Sequence, residues 1–402
     1  MRATRAGDDE RVRTLGVEEE LLVVDPDGVP VPWGPQALEA AARWGEAETV
    51  TEHDRATRGS GPERDDDRGE GDGDDPVGHL VPELKAQQIE LGTRVCRDLA
   101  GVADELRYWR GRADAAAREV GARVAALASS PVAVEPVPTP GERYADMGET
   151  FGLTAQEQLT CGCHVHVSIA DEEEGVAVLN RIRVWLPVLT ALTSNSPFWL
   201  GRDSGYASFR SQSWNRWPSS GPTELFADAA DYARVVADLV ATRTIVDTGM
   251  IYFDARLSEQ WPTVEVRIAD VALHVEDAVT HAGLVRGLVE TAAREWRAGV
   301  PAPEVRSEVV RVAGWRAARS GLGGDLVSPV TGRPAPAADV VTALLDHVRP
   351  ALADTGDDER VSAGVAAILE RGSGADEQRR VHRESGDLTA VVRAAVVATH
   401  AG

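Results

Sequence analysis

Gly16-Val17-Glu18-Glu19-Glu20-Leu21-Leu22 is the stretch on which the fold turns. It lies in an apolar run, residues 14–24, that ends at Asp25-Pro26-Asp27-Gly28, where proline and glycine supply turn angles, so it reads as a β-strand. Alternation along a strand sends Glu18 and Glu20 to one face and Val17, Glu19 and Leu21 to the other. Two carboxylates on one face are either a solvated edge or a pair turned inward, and the second reading needs cations, because gathered buried carboxylates are otherwise too costly. On this assignment Glu18 serves a site, and loss of Glu19 is expected to matter little.

Three distant stretches repeat the pattern. Cys161-Gly162-Cys163-His164-Val165-His166-Val167 alternates so that His164 and His166 share a face and both cysteines take the other. That speaks against a tetrahedral zinc centre built from all four. His164 reads as a metal ligand and His166 as a substrate or phosphate contact. In Thr263-Val264-Glu265-Val266-Arg267, Glu265 and Arg267 share a face, with Val264, Val266 and Ile268 packing behind; a plain ion pair would also account for them. Glu83 and Glu90 are separated by seven positions, so their convergence asks for a helical turn or a bulge. Taken together, these acids, imidazoles and arginines suit Mg2+ or Mn2+ holding a polyphosphate.

Bulk properties narrow the partners. A chain of 402 residues with 43% hydrophobic residues can bury a large core. Its formal charge of -23 opposes nucleic acid and anionic lipid. No apolar run of membrane-spanning length and no leader-like N-terminus is seen, and three cysteines are too few for a disulfide framework, so the expected address is cytoplasmic. Lys85 is the single lysine, hence the only ammonium side chain. Neither a Walker glycine loop nor a dinucleotide fingerprint occurs.

Residues 1–13 read as a flexible N-terminus. Residues 46–77, with twelve acids against four arginines, read as a disordered acidic loop lacking EF-hand spacing. Helices are expected over residues 94–128, 176–192, 228–242 and 275–298, and strands over 163–169, 250–256 and 263–269. Residues 198–224, rich in glycine and tryptophan, read as a binding loop in which Trp214 and Trp217 either shape a pocket or simply pack. From Pro301 the chain reads as a series of helices.

In order, Gly16-Val17-Glu18-Glu19-Glu20, Glu83-Leu84-Lys85-Ala86-Gln87-Gln88-Ile89-Glu90, Gly162-Cys163-His164-Val165-His166-Val167, Asn195-Ser196-Pro197-Phe198-Trp199 and Thr263-Val264-Glu265-Val266-Arg267 resemble the signatures of the type 2 glutamate-cysteine ligases, the YbdK-like carboxylate-amine ligases. The resemblance implies an α+β, glutamine-synthetase-like fold: a curved, mostly antiparallel sheet with flanking helices, a catalytic core over residues 14–300 and a helical C-terminal region over 301–402. It implies an ATP-dependent ligase joining glutamate to cysteine or another amine through a γ-glutamyl phosphate. By motif, Glu18, Glu20, Glu83, Glu90, His164 and Glu265 would be metal ligands, Arg267 would meet the ATP phosphates with Lys85 and His166 nearby, and Arg210 would hold the substrate carboxylate. The implied partners are small molecules, with no nucleic acid or membrane; a homodimer is compatible. Two rival readings use the same ligands: a phosphotransferase related to guanidino kinases, and a catalytically silent metal- or nucleotide-binding protein.

Overall fold

The computed structural model describes residues 12–58 and 78–401. The chain enters as β1 (Leu15–Val24) and turns at residues 25–28, where the Val29 N–H donates to the Asp25 carboxylate at 2.8 Å and Gly28 takes φ 87°. Helices α1 (Gly34–Ala42) and α2 (Val50–Arg58) precede a hairpin of β2 (His79–Pro82) and β3 (Gln88–Gly92). Helix α3 (Leu99–Glu119), capped by Asp98, leads to β4 (Arg123–Ala125), α4 (Glu142–Phe151), α5 (Leu153–Gln156) and β5 (Gly162–Ser168). Next come α6 (Glu172–Ile182), α7 (Leu186–Leu192), the short β6 (Phe198–Trp199) and β7 (Arg202–Asp203), α8 (Arg210–Trp214) and α9 (Ala229–Ala241). Strands β8 (Ala255–Leu257) and β9 (Thr263–Asp270) then deliver the chain to α10 (Val275–Arg297). The remainder is α11 (Ser307–Ser320), the hairpin β10 (Asp325–Val327) and β11 (Pro334–Pro336), α12 (Ala337–Thr355), α13 (Asp358–Arg371), α14 (Gly374–Ser385) and α15 (Leu388–Thr399).

One antiparallel sheet in the order β2-β3-β1-β5-β9-β8 organises these elements, and β4 takes over the edge of β1 that β5 leaves. Its rear face is apolar: Val17, Leu21, Val165, Val167, Val264 and Val266 are buried there, with α3 and α10 on that side. Each such burial is worth about 1.5–3 kcal/mol, so a slip of one residue in register would forfeit the whole rear layer. The opposite face carries the polar clusters. Among the described residues no single helix is long and apolar enough to cross a membrane.

Several expectations change. The helix expected over residues 94–128 spans only α3, because Gly121 takes φ 80° and breaks it, and Val124 belongs to β4. The helix expected over residues 176–192 is two helices bent by 67°, with Pro187 at the start of α7. Of the strand expected over residues 250–256, only Ala255 and Arg256 fall in β8, and Met250 ends a short 3-10 turn, Thr248–Met250. The C-terminal helices are interrupted by the β10–β11 hairpin. Within the acidic segment, residues 46–58 are built into the fold: at the Ala47 bridge the Leu80 N–H donates to the Glu46 carbonyl and the Leu80 carbonyl accepts from the Glu48 N–H, and α2 follows; residues 59–77 lie outside the described residues. Of the N-terminal stretch, residues 1–11 also lie outside them, while Arg13 pairs with Glu174 and Glu290 at 2.7 and 2.6 Å.

Glu19 overturns its expectation. It does face away from Glu18 and Glu20, but into the core, where both its oxygens receive Arg110 of α3, Nε and Nη2 each at 2.7 Å. Arg110 also donates to the carbonyls of Ala272 and Leu273 at 2.7 and 3.2 Å, so this buried pair ties β1, α3 and the approach to α10 together. Removing one partner would leave the other charge stranded in the interior.

Candidate active site

Strand register builds the site in rows. On the polar face Glu90 of β3 stands opposite Glu20 of β1, Glu18 stands opposite His164 of β5, and His166 stands opposite Glu265 of β9, which in turn stands opposite Arg256 of β8. Glu83 arrives from the turn of the β2–β3 hairpin, so it meets Glu90 by chain reversal and not by a helical turn or a bulge. A register shift does occur between β5 and β9, near His164, and it leaves Ile268 half-buried beside Arg267 at the wall of a cleft, not packed behind as its spacing predicts.

Two groups of ligand-type atoms result, each within 4.8 Å of one another: Glu18, His166 and Glu265, and Glu20, Glu83 and Glu90. His164 falls between them, its Nδ1 3.3 Å from Glu18 and its Nε2 3.9 Å from Glu20, and that buried Nε2 has no hydrogen-bond partner. The ligand role read for His164 therefore has a geometric competitor in His166, whose Nε2 lies 3.2 Å from Glu18 while Thr263 Oγ1 holds Nδ1 at 3.0 Å.

The groups differ in charge balance. In the first, Glu265 pairs with Arg267 and, at 2.7 Å, with Arg256. Burial pushes Glu265 upward, but the two arginines outweigh it and hold the carboxyl below its ordinary range. Glu18 is likewise held well below, burial being outweighed by His166 and His164. Burial lowers His164 to about 4, with Arg267 adding to the effect, so it is neutral at pH 7. In the second group no arginine or lysine pairs with any of the three acids among the described residues. Burial lifts Glu20, with Arg210 and the Gly162 N–H opposing; it lifts Glu83 to about 7, with Glu20 adding to the rise; it lifts Glu90 furthest, with Glu18, Glu83 and Glu20 adding. Three acids that cannot all ionise together are a fitting donor set for a divalent cation, whose charge would let them. The all-oxygen group suits Mg2+, and the group with an imidazole also suits Mn2+.

Arginines rim the clusters. Arg267 is buried, and its Nε lacks a partner. Arg210, first residue of α8, is almost fully buried, donates weakly to the carbonyls of Ile268 and Arg267 at 3.4 Å, and also leaves Nε unpaired. It lies against Gly162, where an added Cβ would sit 2.3 Å from its Nη2, so the glycine of the Cys-Gly-Cys-His stretch is what admits it. Asp270, which the sequence pattern does not flag, sets this loop: it accepts from Ser196 Oγ at 2.7 Å, Ser208 Oγ at 2.8 Å and the Asn195 N–H at 2.8 Å, and Ser196 Oγ receives the Arg210 N–H. Arg256 and Asp254 also escape that pattern; an acid or base inside the apolar framing of β8 and β9 was the available signal. Lys85 is buried with Nζ 3.3 Å from the Gln156 carbonyl, and burial lowers it to about 8. Trp217 packs in the core against Phe151 and Tyr252, whereas Trp214 reaches the cleft beside Arg210.

Known proteins resemble this chain over nearly its whole length. The family model described as glutamate-cysteine ligase family 2 matches residues 14–394. A relative from Paenarthrobacter aurescens, provisionally named glutamate-cysteine ligase 2-1, is 49% identical over 97% of this chain and 95% of its own length. One from Streptomyces coelicolor, provisionally named glutamate-cysteine ligase 2, is 47% identical over 97% of this chain and 100% of its own length. Among solved structures, a glutamate-cysteine ligase from Francisella tularensis in complex with AMP superposes with a TM-score of 0.65 at 12% identity, covering 98% of this chain and 90% of that one. A bifunctional glutathione synthetase from Pasteurella multocida gives 0.62 at 13% identity, covering 96% of this chain and 52% of that one. These likenesses at low identity speak to the fold, and the α+β, glutamine-synthetase-like class expected from the sequence is the one found.

Proposed function

Given that this chain belongs to glutamate-cysteine ligase family 2, we propose that it is an ATP-dependent carboxylate-amine ligase that activates glutamate as an acyl phosphate and passes it to cysteine or another amine. The observation that carries the reading is the set of Glu20, Glu83 and Glu90, gathered on one face with no arginine or lysine paired to them among the described residues and one sheet row from Glu18, His166 and Glu265. Mg2+ or Mn2+ held by these residues, with His164 between the groups, would supply neutralisation of the triphosphate and alignment of its terminal phosphoryl group.

Arg267 would donate charge-assisted hydrogen bonds to phosphate oxygens as the bond between the β- and γ-phosphates breaks. Arg210, rigid between Gly162 and Trp214, would hold the carboxylate whose oxygen attacks γ-phosphorus, expelling ADP. The amine nitrogen then attacks the acyl carbon, phosphate departs with its bonding pair, and the amine proton is lost, giving an amide, ADP and phosphate. Buried Lys85, with His166 nearby, would add donors on the nucleotide side of this surface, the ammonium being still mostly charged at pH 7. We further propose action on small molecules in a reducing, cytoplasmic setting, where the three free cysteines stay reduced.

Mass spectrometry of reactions containing ATP, Mg2+, glutamate and a pooled amine library tests this. The expected product has the mass of acid plus amine less water, with one ADP and one phosphate for each amide. ADP with a phosphorylated end product and no amide would favour the phosphotransferase; absence of ADP with every acid and amine would favour a silent binding protein.

A further inference from the structure

The motif Asn195-Ser196-Pro197-Phe198-Trp199 belongs to a segment, residues 194–209, that leads into Arg210, and helix α14 lies along it from the far end of the chain. Contacts run the length of that helix. At its start the Ala375 N–H donates to the Ser194 carbonyl at 2.9 Å. One turn on, Gln378 Nε2 donates to the Asn195 carbonyl at 2.8 Å and to Asn195 Oδ1 at 2.7 Å. Arg379 holds the Asp203 carboxylate through Nε at 2.8 Å and Nη2 at 2.7 Å, and Nη2 also reaches the Tyr206 carbonyl at 2.8 Å. His382 meets Phe198 edge to face, with ring centroids 5.3 Å apart. Gly374 allows so close an approach, since an added Cβ there would sit 2.3 Å from Asn195 Oδ1, and the capping box of Ser373 and Asp376 fixes where the helix begins.

Asn195 carries this grip toward the site. Its Nδ2 donates to the carbonyls of Ala126 and Val271 at 2.9 and 2.8 Å, so both ends of its side-chain amide are engaged, and its N–H donates to Asp270, the carboxylate that also receives Ser196 and Ser208. Ser196 Oγ in turn receives the Arg210 N–H at 2.9 Å. Gln378, Asn195, Ser196, Ser208 and Asp270 are all almost fully buried, so water could not replace a missing donor without opening the segment. We propose that Gln378 is a positioning residue for Arg210, and α14 the latch that holds residues 194–209 in the conformation from which Arg210 meets its carboxylate. This role rests on the ligase reading and deepens it, because it gives the C-terminal helices, which supply none of the candidate metal ligands, a part in binding the acid.

Gln378→Met keeps the side-chain length and the helix preference while removing both donated hydrogens. A buried acceptor left without its donor is worth about fivefold or more, so the variant should raise the KM for glutamate at least about fivefold in an ADP-release assay and leave the KM for ATP unchanged. Hydrogen exchange read by mass spectrometry should quicken in peptides covering residues 194–210 and stay as it was in those covering β1 and β3. In a Ser196→Ala background, where the bond to the Arg210 N–H is already gone, Gln378→Met should add less than about twofold. An unchanged KM for glutamate, a KM for ATP that rises with it, or full additivity with Ser196→Ala overturns the proposal. Should Gln378→Met fail to fold, Arg379→Gln on the same helix decides: faster exchange at residues 198–209 with a higher KM for glutamate alone supports the latch, and unchanged exchange overturns it. A wild type without turnover sinks the ligase reading alone; glutamate affinity by titration calorimetry then takes the place of KM, with the same outcomes deciding the latch, and a wild type that binds no glutamate ends both.

Discussion

Glu83→Gln is the sharpest probe of the acid cluster, because it removes one of three clustered charges at constant shape. Burial raises the Glu83 carboxyl from 4.5 to about 7, with Glu20 adding to the rise. The folded protein thus holds a proton more tightly than the unfolded chain, and the associated stability is present below pH 4.5 and lost as pH climbs through 7. At ~1.4 kcal/mol for each tenfold in proton affinity, the loss is roughly 3 kcal/mol, and roughly 2 kcal/mol after discounting for partial exposure. Gln has no proton to lose. Urea unfolding in EDTA at pH 5 and pH 8.5 should show the wild type weakening between the two by about 2 kcal/mol more than the variant. Excess Mg2+ at pH 8.5 should then stabilise the wild type by clearly more than Glu83→Gln, which keeps only the Glu18, His166 and Glu265 group intact. Parallel pH profiles for the two proteins, or equal Mg2+ stabilisation of both, would refute the reasoning that these acids are held together by a cation.

Three further outcomes are expected. Glu19→Ala should cost about 3–5 kcal/mol in urea unfolding by stranding Arg110, whereas Glu18→Ala should keep its stability and lose Mg2+-dependent binding of an ATP analogue; similar stabilities for the two variants would contradict the opposed faces. Gly162→Ala places a Cβ 2.3 Å from Arg210 Nη2 and should raise the KM for the acid substrate at least about tenfold in an ADP-release assay, an unchanged KM arguing against Arg210 as the carboxylate clamp. Burial raises the Cys161 and Cys163 thiols well above their ordinary range and Cys96 to about 11, so native protein at pH 8 should resist iodoacetamide while unfolded protein takes three labels; rapid labelling seen by intact mass would count against this packing.

The sheet was legible where one face is uniformly apolar. Alternation in β1, β5 and β9 correctly divides Glu18 and Glu20 from Val17 and Leu21, and His164 and His166 from Val165 and Val167, because period-two burial leaves little freedom of register. What alternation cannot supply is the partner across space. Glu19 looked idle because its counterion, Arg110, lies on another element 91 positions away, although Arg110 shares the buried face of α3 with Leu106 and Ala113. Helix ends were overrun wherever apolar spacing continued past a break, as at Gly121 and Pro187, since a strand or a second helix can satisfy the same spacing. The offset between β5 and β9 is likewise invisible in one dimension, and it is what brings Ile268 to the cleft beside Arg267. Asp270 acts through loop anchoring, which no local pattern announces.

The most direct test is anomalous diffraction at the manganese edge from crystals grown with Mn2+ and a non-hydrolysable ATP analogue. Peaks are expected among Glu20, Glu83 and Glu90 and among Glu18, His166 and Glu265, with the triphosphate between them and Arg267. Manganese bound only elsewhere on the surface, or a triphosphate seated away from this face of the sheet, would contradict it.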